Sequence, residues 1–298
     1  MLERLLSYLY KYINNDIEYT FEANPESLTL NKILLLKKYG VNRISIGVES
    51  TNDSILKTIN RKHTFKDVIN ITNLLRENGF NNISYDLILG LPNVTLSMLE
   101  KDIKNLINLN PEHISCYSLT VHPNTVFHIN GVIEPTDEFA REGYDLIHRV
   151  LKQSGYEQYE VSNWCKNNNR SKHNLTYWRN ETYYGAGLGA AGYIDNYRYK
   201  NTRNICAYNL NKDLIEEKEF LNLKDVRDYQ IILNLRTSEG LSLNNFKNTY
   251  GEDLLDTYKD VIFELIDSKL LILDMEKQAL IPTYEGMMLL DTLILKLI

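Results

Sequence analysis

Four short apolar runs alternate with helical patterns through the first half of the chain. The segments EYTFEA (18–23), RISIGVE (43–49), ISYDLILG (83–90) and HISCYSLT (113–120) are rich in Ile, Val, Tyr and Phe, the composition of strands. Between them, Leu28 to Tyr39, Asp53 to Ile59, Phe65 to Asn78 and Thr95 to Leu109 carry apolar residues at near-helical spacing. Thr64 stands before the third of these helices, and Pro92 follows the third strand ahead of Thr95, so the start signals agree. Gly40 and Gly79 fall just past helix ends, where a left-handed cap favours glycine. Strand and helix in alternation predict βα units with parallel pairing. The strands read as apolar on both faces, as in a sheet covered by helices.

After Val121 the pattern changes. Residues 137–153 (DEFAREGYDLIHRVLKQ) predict one more helix, closed by Gly155. Residues 156–200 are rich in Tyr, Asn and Gly, with a glycine cluster at GAGLGAAGY (185–193). From about Lys224 a separate unit begins, with helices over 224–236, 242–249 and 252–268, a hairpin-like LLILDMEKQALIPT and a closing helix from Glu285. Three helices, a hairpin and a helix outline a winged-helix-like module. Over 224–298 it carries 8 Lys and Arg against 13 Asp and Glu, the wrong sign for a DNA-facing wing.

Composition narrows the class without changing this picture. The 298 residues are 43% hydrophobic and 24% charged, which excludes collagenous, disordered and disulfide-scaffold chains. The net charge of −6 disfavours a nucleic-acid or anionic-membrane partner held by bulk charge. No run approaches the length of a membrane span. The start of the chain lacks the small-residue cleavage site of a signal peptide and reads as an amphipathic helix from Leu2 to Ile13. Cys116, Cys165 and Cys206 are far apart and odd in number, the usage of a reduced, cytoplasmic chain with neither a disulfide framework nor a clustered-cysteine metal site.

In parallel βα architectures, chemistry gathers at the C-terminal ends of the strands. The first predicted strand ends in Glu22-Ala23-Asn24-Pro25, the second in Glu49-Ser50, and the third holds Asp86 before Gly90-Leu91-Pro92. Arg61 lies beyond the second strand, followed by Lys62 and His63. Three carboxylates and an arginine at one mouth could hold a zwitterionic, hydroxyl-rich ligand, with Arg pairing its carboxylate and the acids accepting from an amine and from hydroxyls. Spacing alone favours the plainer alternative, solvated loop charges.

FEANP, RISIGVES, NRKHT, YDLILGLP and HISCYSL, in this order and spacing, resemble the anaerobic coproporphyrinogen oxidase-like family of radical S-adenosylmethionine proteins, over essentially the whole chain. YEQYEVSNW (156–164) followed by HNLTYWRN (173–180) is similar to the heme-chaperone branch; the coproporphyrinogen dehydrogenase branch lacks the HNxxYW signature. The resemblance implies that Glu22, Arg61 and Asp86 contact S-adenosylmethionine. It implies the same of Glu49, where the family usually carries Gln; a carboxylate only accepts where an amide also donates. It implies His173 as a heme ligand, with Tyr177 and Trp178 as an aromatic wall. On the residues alone, His173 reads first as a histidine bonded within its loop, and the motif is what raises the ligand reading beside it. Relatives often carry a further His and Ser where this chain has Ala191 and Gly192, so no second ligand is expected there. Cys165 and Cys206 read as ordinary thiols, and Cys116 as a core residue on a barrel strand.

The family opens with a strand ending in a CxxxCxxC loop that holds a [4Fe-4S] cluster, then a strand ending in Gly-Gly-Gly-Thr-Pro that meets the cofactor's methionyl amine. Neither segment occurs in the 298 residues. The expectation is therefore an α/β chain: a partial (β/α)6 radical-SAM barrel lacking its first strands (1–125), a connecting region with the HNxxYW motif (126–223) and a helical, winged-helix-like C-terminal domain (224–298). S-adenosylmethionine and heme are the cofactors implied; the [4Fe-4S] cluster is expected of the family, but no cluster ligand and no catalytic residue is assigned here, and whether the chain is an enzyme stays open. The implied function is a cytoplasmic heme chaperone that delivers heme to respiratory-chain hemoproteins, with the family activity impaired by a truncated N-terminus. An oxygen-independent coproporphyrinogen III oxidase and a non-catalytic remnant are the alternatives. No nucleic-acid partner and no membrane span is expected.

Overall fold

Four parallel strands form where the apolar runs place them: β1 Thr20–Ala23, β2 Arg43–Glu49, β3 Ile83–Leu89 and β4 His113–Ser118. The computed structural model describes residues 1–14, 16–212 and 214–298. These fall into two compact units, Met1–Arg170 and Ser171–Ile298.

In the first unit the connections between strands carry helices Leu30–Lys38, Asp53–Thr58, Phe65–Glu77 and Leu96–Asn108. Side-chain oxygens of Thr29, Asn52, Thr64 and Thr95 accept from the first free N–H groups, and Thr64 forms a reciprocal capping box with Asp67. Gly40 and Gly79 take the left-handed caps. Ile44, Ile46, Val48, Tyr85, Leu87, Leu89, Ile114 and Cys116 form one core with Ile33, Leu36, Val68, Leu75, Ile103 and Leu106 of the helices. The chain begins with helix Leu2–Leu9 and a short 3-10 turn, Tyr10–Tyr12.

Two features depart from the sequence reading. First, the strands are buried on both faces but apolar on only one. Arg43, Ser45, Gly47 and Glu49 alternate with Ile44, Ile46 and Val48; Ser84 and Asp86 alternate with Tyr85 and Leu87; His113 and Ser115 alternate with Ile114 and Cys116. Helices cover the apolar face, while side chains on the polar face bond to one another. His113, fully buried, has Nδ1 2.8 Å from Ser84 Oγ and Nε2 2.8 Å from Tyr159 Oη. Burial drives its pKa well down, so the ring is neutral. Second, an antiparallel hairpin, β5 Glu157–Glu160 and β6 Asn163–Cys165, joins β4 and extends the sheet to β1-β2-β3-β4-β6-β5. Only parallel pairing was expected from the βα rhythm. A hairpin this short carries too few residues for a legible alternation. It is fed by helix Asp137–Gln153, and Trp164 seats it in the core.

In the second unit, β7 Ala191–Ile194, β8 Tyr197–Asn201 and β9 Ile215–Phe220 form an antiparallel sheet. Beyond it come helix Leu223–Asn234, β10 Leu241–Ser242, helices Leu243–Tyr250, Leu254–Thr257 and Lys259–Asp267, β11 Leu271–Asp274 and β12 Ala279–Pro282. The sheet order β10-β12-β11 with this alternation is a winged-helix arrangement, closed by Tyr284–Met288 and Leu290–Ile294. The single helix expected over 252–268 is two, because Tyr258 leaves helical backbone (φ −116°, ψ 23°). No helix among the described residues is long and apolar enough to cross a membrane.

Candidate functional site

The polar face of β1–β3 opens at the strand ends onto a charged constellation. Glu49, the last residue of β2, is 8% exposed and pairs with Arg61, which also donates Nη1–H to Asn24 Oδ1 at 2.8 Å. Asp86 stands opposite Gly47 on one side and Ser115 on the other. Ser45 Oγ lies 3.3 and 3.4 Å from its carboxylate oxygens. Glu22 is opposite Ser45 in the β1–β2 register and exposed. Burial pushes the Asp86 carboxyl up to about 6, with Glu49 and Glu22 adding to the effect and the Ser115 hydroxyl and Arg43 opposing it. Burial also raises the Glu49 carboxyl, against the pull of Arg61. All four residues expected at the mouth thus meet there. Asn24, which the sequence reading placed at a strand end without a role, completes the hold on Arg61.

Two backbone details shape this mouth. A Cβ at Gly47 would come within 3.0 Å of Glu49 Oε1 and 3.4 Å of Asn24 Oδ1, so a bare backbone is what lets the polar groups close up. Glu49 itself has φ +65°, and Ser50 N–H donates to Val48 O at 2.8 Å, a γ-turn about Glu49. Holding a non-glycine residue there costs on the order of 1–3 kcal/mol. His63, buried, lies behind the turn with Nε2 3.2 Å from Val48 O; a carbonyl only accepts, so that nitrogen carries the proton. The donor set suits a molecule with an amine or sulfonium, a carboxylate and vicinal hydroxyls, and so fits the methionyl and ribose parts of S-adenosylmethionine. A crevice of about 590 Å³ on the outer, helical side, lined by Thr51, Phe65, Lys66, Lys101, Asp102 and Asn105, is not part of this mouth.

The cysteines do not fit an iron–sulfur cluster. Cys116 and Cys165 are buried on β4 and β6, and Cys206 is exposed in the second unit. Burial pushes the Cys116 thiol far up and the Cys165 thiol to about 11, the reverse of a thiolate ligand. Among the described residues no three His, Cys, Asp or Glu side chains gather to hold a metal.

In the second unit, His173 is exposed on helix Lys172–Trp178, whose first turn Ser171 caps. The Tyr177 ring, one turn on, meets the imidazole edge-on at 4.8 Å between centroids, and Tyr183 meets Tyr177 at 4.4 Å. Trp178 does not share that face; Arg236 lies over its ring at 5.1 Å. Tyr183 takes the place expected of Trp178, and nothing local in its sequence announces it. Tyr183 forms an isolated bridge with Tyr193 of β7. Next to it, a Cβ on Gly192 would fall 2.3 Å from the Tyr199 ring, so the bare glycine leaves room for that tyrosine.

Residues 1–106 match the family model of the radical SAM superfamily, and residues 221–289 match that of the HemN C-terminal domain. The heme chaperone HemW of Bacillus subtilis is 38% identical over 283 residues, covering 91% of this chain and 73% of its own. The heme chaperone HemW of Lactococcus lactis is 36% identical over 285 residues, covering 93% of this chain and 75% of its own. Among solved structures, the Escherichia coli coproporphyrinogen III oxidase HemN, a radical SAM enzyme, superposes with a TM-score of 0.83 over 99% of this chain and 73% of its own, at 20% identity. That last likeness is one of fold.

Proposed function

From the premise that this chain belongs to the heme chaperone HemW family of radical SAM proteins, we propose that it binds heme through His173 and passes it to acceptor hemoproteins in the cytoplasm. The observation that carries this reading is the exposed imidazole of His173 braced edge-on by Tyr177, with Tyr183 extending the aromatic face. An imidazole nitrogen is a common axial ligand of heme iron, and tyrosine rings beside it suit a flat, apolar macrocycle. In the same reading, Glu22, Glu49, Arg61 and Asp86 hold S-adenosylmethionine. Arg61 would hold the ligand carboxylate, Asp86 and Glu49 its cationic groups, and Glu22 would accept from ribose hydroxyls. S-adenosylmethionine brings to the mouth a fixed positive charge on sulfur. No step runs through an iron–sulfur cluster, for which the described residues gather no ligand set. Delivery to respiratory-chain acceptors in particular is part of the proposal.

Heme titration tests it. The chain is expected to develop a saturable Soret band, and His173→Ala to shift that band or weaken binding. Transfer to an apo-hemoprotein acceptor should follow the same order. Identical spectra and affinity for wild type and His173→Ala would remove His173 from the site.

A further inference from the structure

The turn that presents Glu49 is anchored from outside the sheet. Asp102, in the middle of helix Leu96–Asn108 and 4% exposed, accepts from Ser50 Oγ at 2.7 Å, from Thr51 N–H at 3.0 Å and from Thr51 Oγ1. Asn105, one turn-face neighbour on the same helix, donates Nδ2–H to Thr51 Oγ1 at 2.8 Å. Ser50 Oγ in turn accepts from Asn52 N–H at 3.1 Å.

We propose that Asp102 is a positioning residue for the ligand site at the strand ends: by gripping Ser50 and Thr51 it holds the γ-turn that aims Glu49 at Arg61. The proposal rests on reading that mouth as the S-adenosylmethionine site. The surrounding helix positions that face the core, Leu99, Ile103 and Leu106, are apolar, and an apolar residue at 102 would serve packing as well. A buried carboxylate is tolerated only where hydrogen bonds compensate it, and here all of those bonds go to the two residues after Glu49. Released from that grip, residue 49 would relax from its left-handed φ toward extended backbone. Its carboxylate would stay on the polar face with Ser45 and Gly47 but lose the placement that pairs it with Arg61. The β2–β3 register already shifts between Gly47 and Glu49, so this strand end has no regular ladder to hold it in place.

The test measures S-adenosylmethionine affinity of the full chain by calorimetry, for Asp102→Ala and Thr51→Val, each alone and combined with Glu49→Ala. Leu99→Ala, which loosens the same helix without touching the turn, is the control. Asp102→Ala is expected to weaken binding about tenfold and Thr51→Val about threefold, and both effects should vanish in the Glu49→Ala background. Leu99→Ala should lower the melting temperature and leave affinity unchanged. Equal loss with and without Glu49, or a lowered melting temperature with no loss of affinity, would overturn the proposal. A ligand-free readout separates this from the reading of the site. The Glu49 carboxyl, followed by carbon NMR, should titrate lower in Asp102→Ala and Thr51→Val, nearer an ordinary carboxylate, and should not move in Leu99→Ala. If wild type takes up no S-adenosylmethionine, the site reading falls and the titration alone decides Asp102; an unmoved Glu49 midpoint then refutes it. Should Asp102→Ala fail to fold, Thr51→Val carries both measurements.

Discussion

Glu49 and Arg61, twelve residues apart, form a lopsided ion pair: the glutamate side chain is 10% exposed and the arginine 29%. Arg61 therefore keeps an open side from which a ligand carboxylate can approach, whereas Glu49 is nearly closed off from solvent.

Truncating Arg61 leaves Glu49 buried without its cation. Arg61→Ala is expected to cost about 1–3 kcal/mol of stability near neutral pH, short of a fully buried pair because the arginine is partly solvated. Loss of Arg61 raises the folded-state pKa of Glu49 further above its unfolded value. The deficit should deepen as pH rises above the ordinary carboxylate range and fade toward acid, where Glu49 is protonated in both states. Urea denaturation at pH 4, 6 and 8 reads this, and a pH-independent deficit would contradict it.

Asp86 makes a second pH-dependent contribution. Its folded pKa of about 6 lies above its ordinary 3.8, so the folded state holds a proton that the unfolded chain releases earlier. The group is neutral to stability below pH 4. Its cost grows from there and is complete above pH 6, at roughly 3 kcal/mol for a shift of about two units. Asp86→Asn should be more stable than wild type at pH 7.5, converging on it at pH 4. Affinity for a cationic ligand should fall as pH drops through 6 in wild type and stay flat in Asp86→Asn. Parallel pH profiles would exclude Asp86 from contact with the ligand.

The βα rhythm, the helix caps at Thr64 and Thr95 and the four acid and basic residues of the mouth were legible because each has a local signature: an apolar run, a capping oxygen, a charge at a strand end. The polar inner face was not. Ser45, Ser84 and His113 lie inside apolar runs, and a run of mixed residues buried on both sides does not reveal which face the helices cover. Hairpin β5–β6 escaped notice for want of length, and Tyr183 because its partner Tyr177 is brought to it by the fold rather than by helical spacing. Asp102 carries no local signal in the sequence; only its bonds to Ser50 and Thr51 distinguish it.

In the second unit, Gly192→Ala should destabilise by about 1–3 kcal/mol, since the new methyl meets the Tyr199 ring at 2.3 Å and that ring is held by hydrogen bonds between its hydroxyl and Gly185. Combining it with Tyr199→Leu should cost less than the sum of the two. Strict additivity in thermal melts would show that the two side chains do not compete for the same space.

The thiols should separate cleanly by reactivity. In native protein iodoacetamide is expected to modify Cys206, with Cys116 and Cys165 reacting only after denaturation, since burial keeps both as thiols. Anaerobic incubation with iron and sulfide should leave no cluster that survives desalting. A stoichiometric cluster lost on substitution of any of the three would contradict this.

The alternation on β2, β3 and β4 has a consequence for how such a chain can change over time. Each strand spells two messages in interleaved letters: Ile44, Ile46, Tyr85, Leu87 and Ile114 determine whether the helices dock, while Ser45, Gly47, Ser84, Asp86 and Ser115 determine what the hollow can accommodate. Because neighbouring letters face opposite ways, a substitution on the polar face that keeps its hydrogen bonds alters the hollow without touching the side chains on which the helices dock. Drift in ligand preference is then decoupled from loss of the scaffold, and one architecture can be retuned at every second residue.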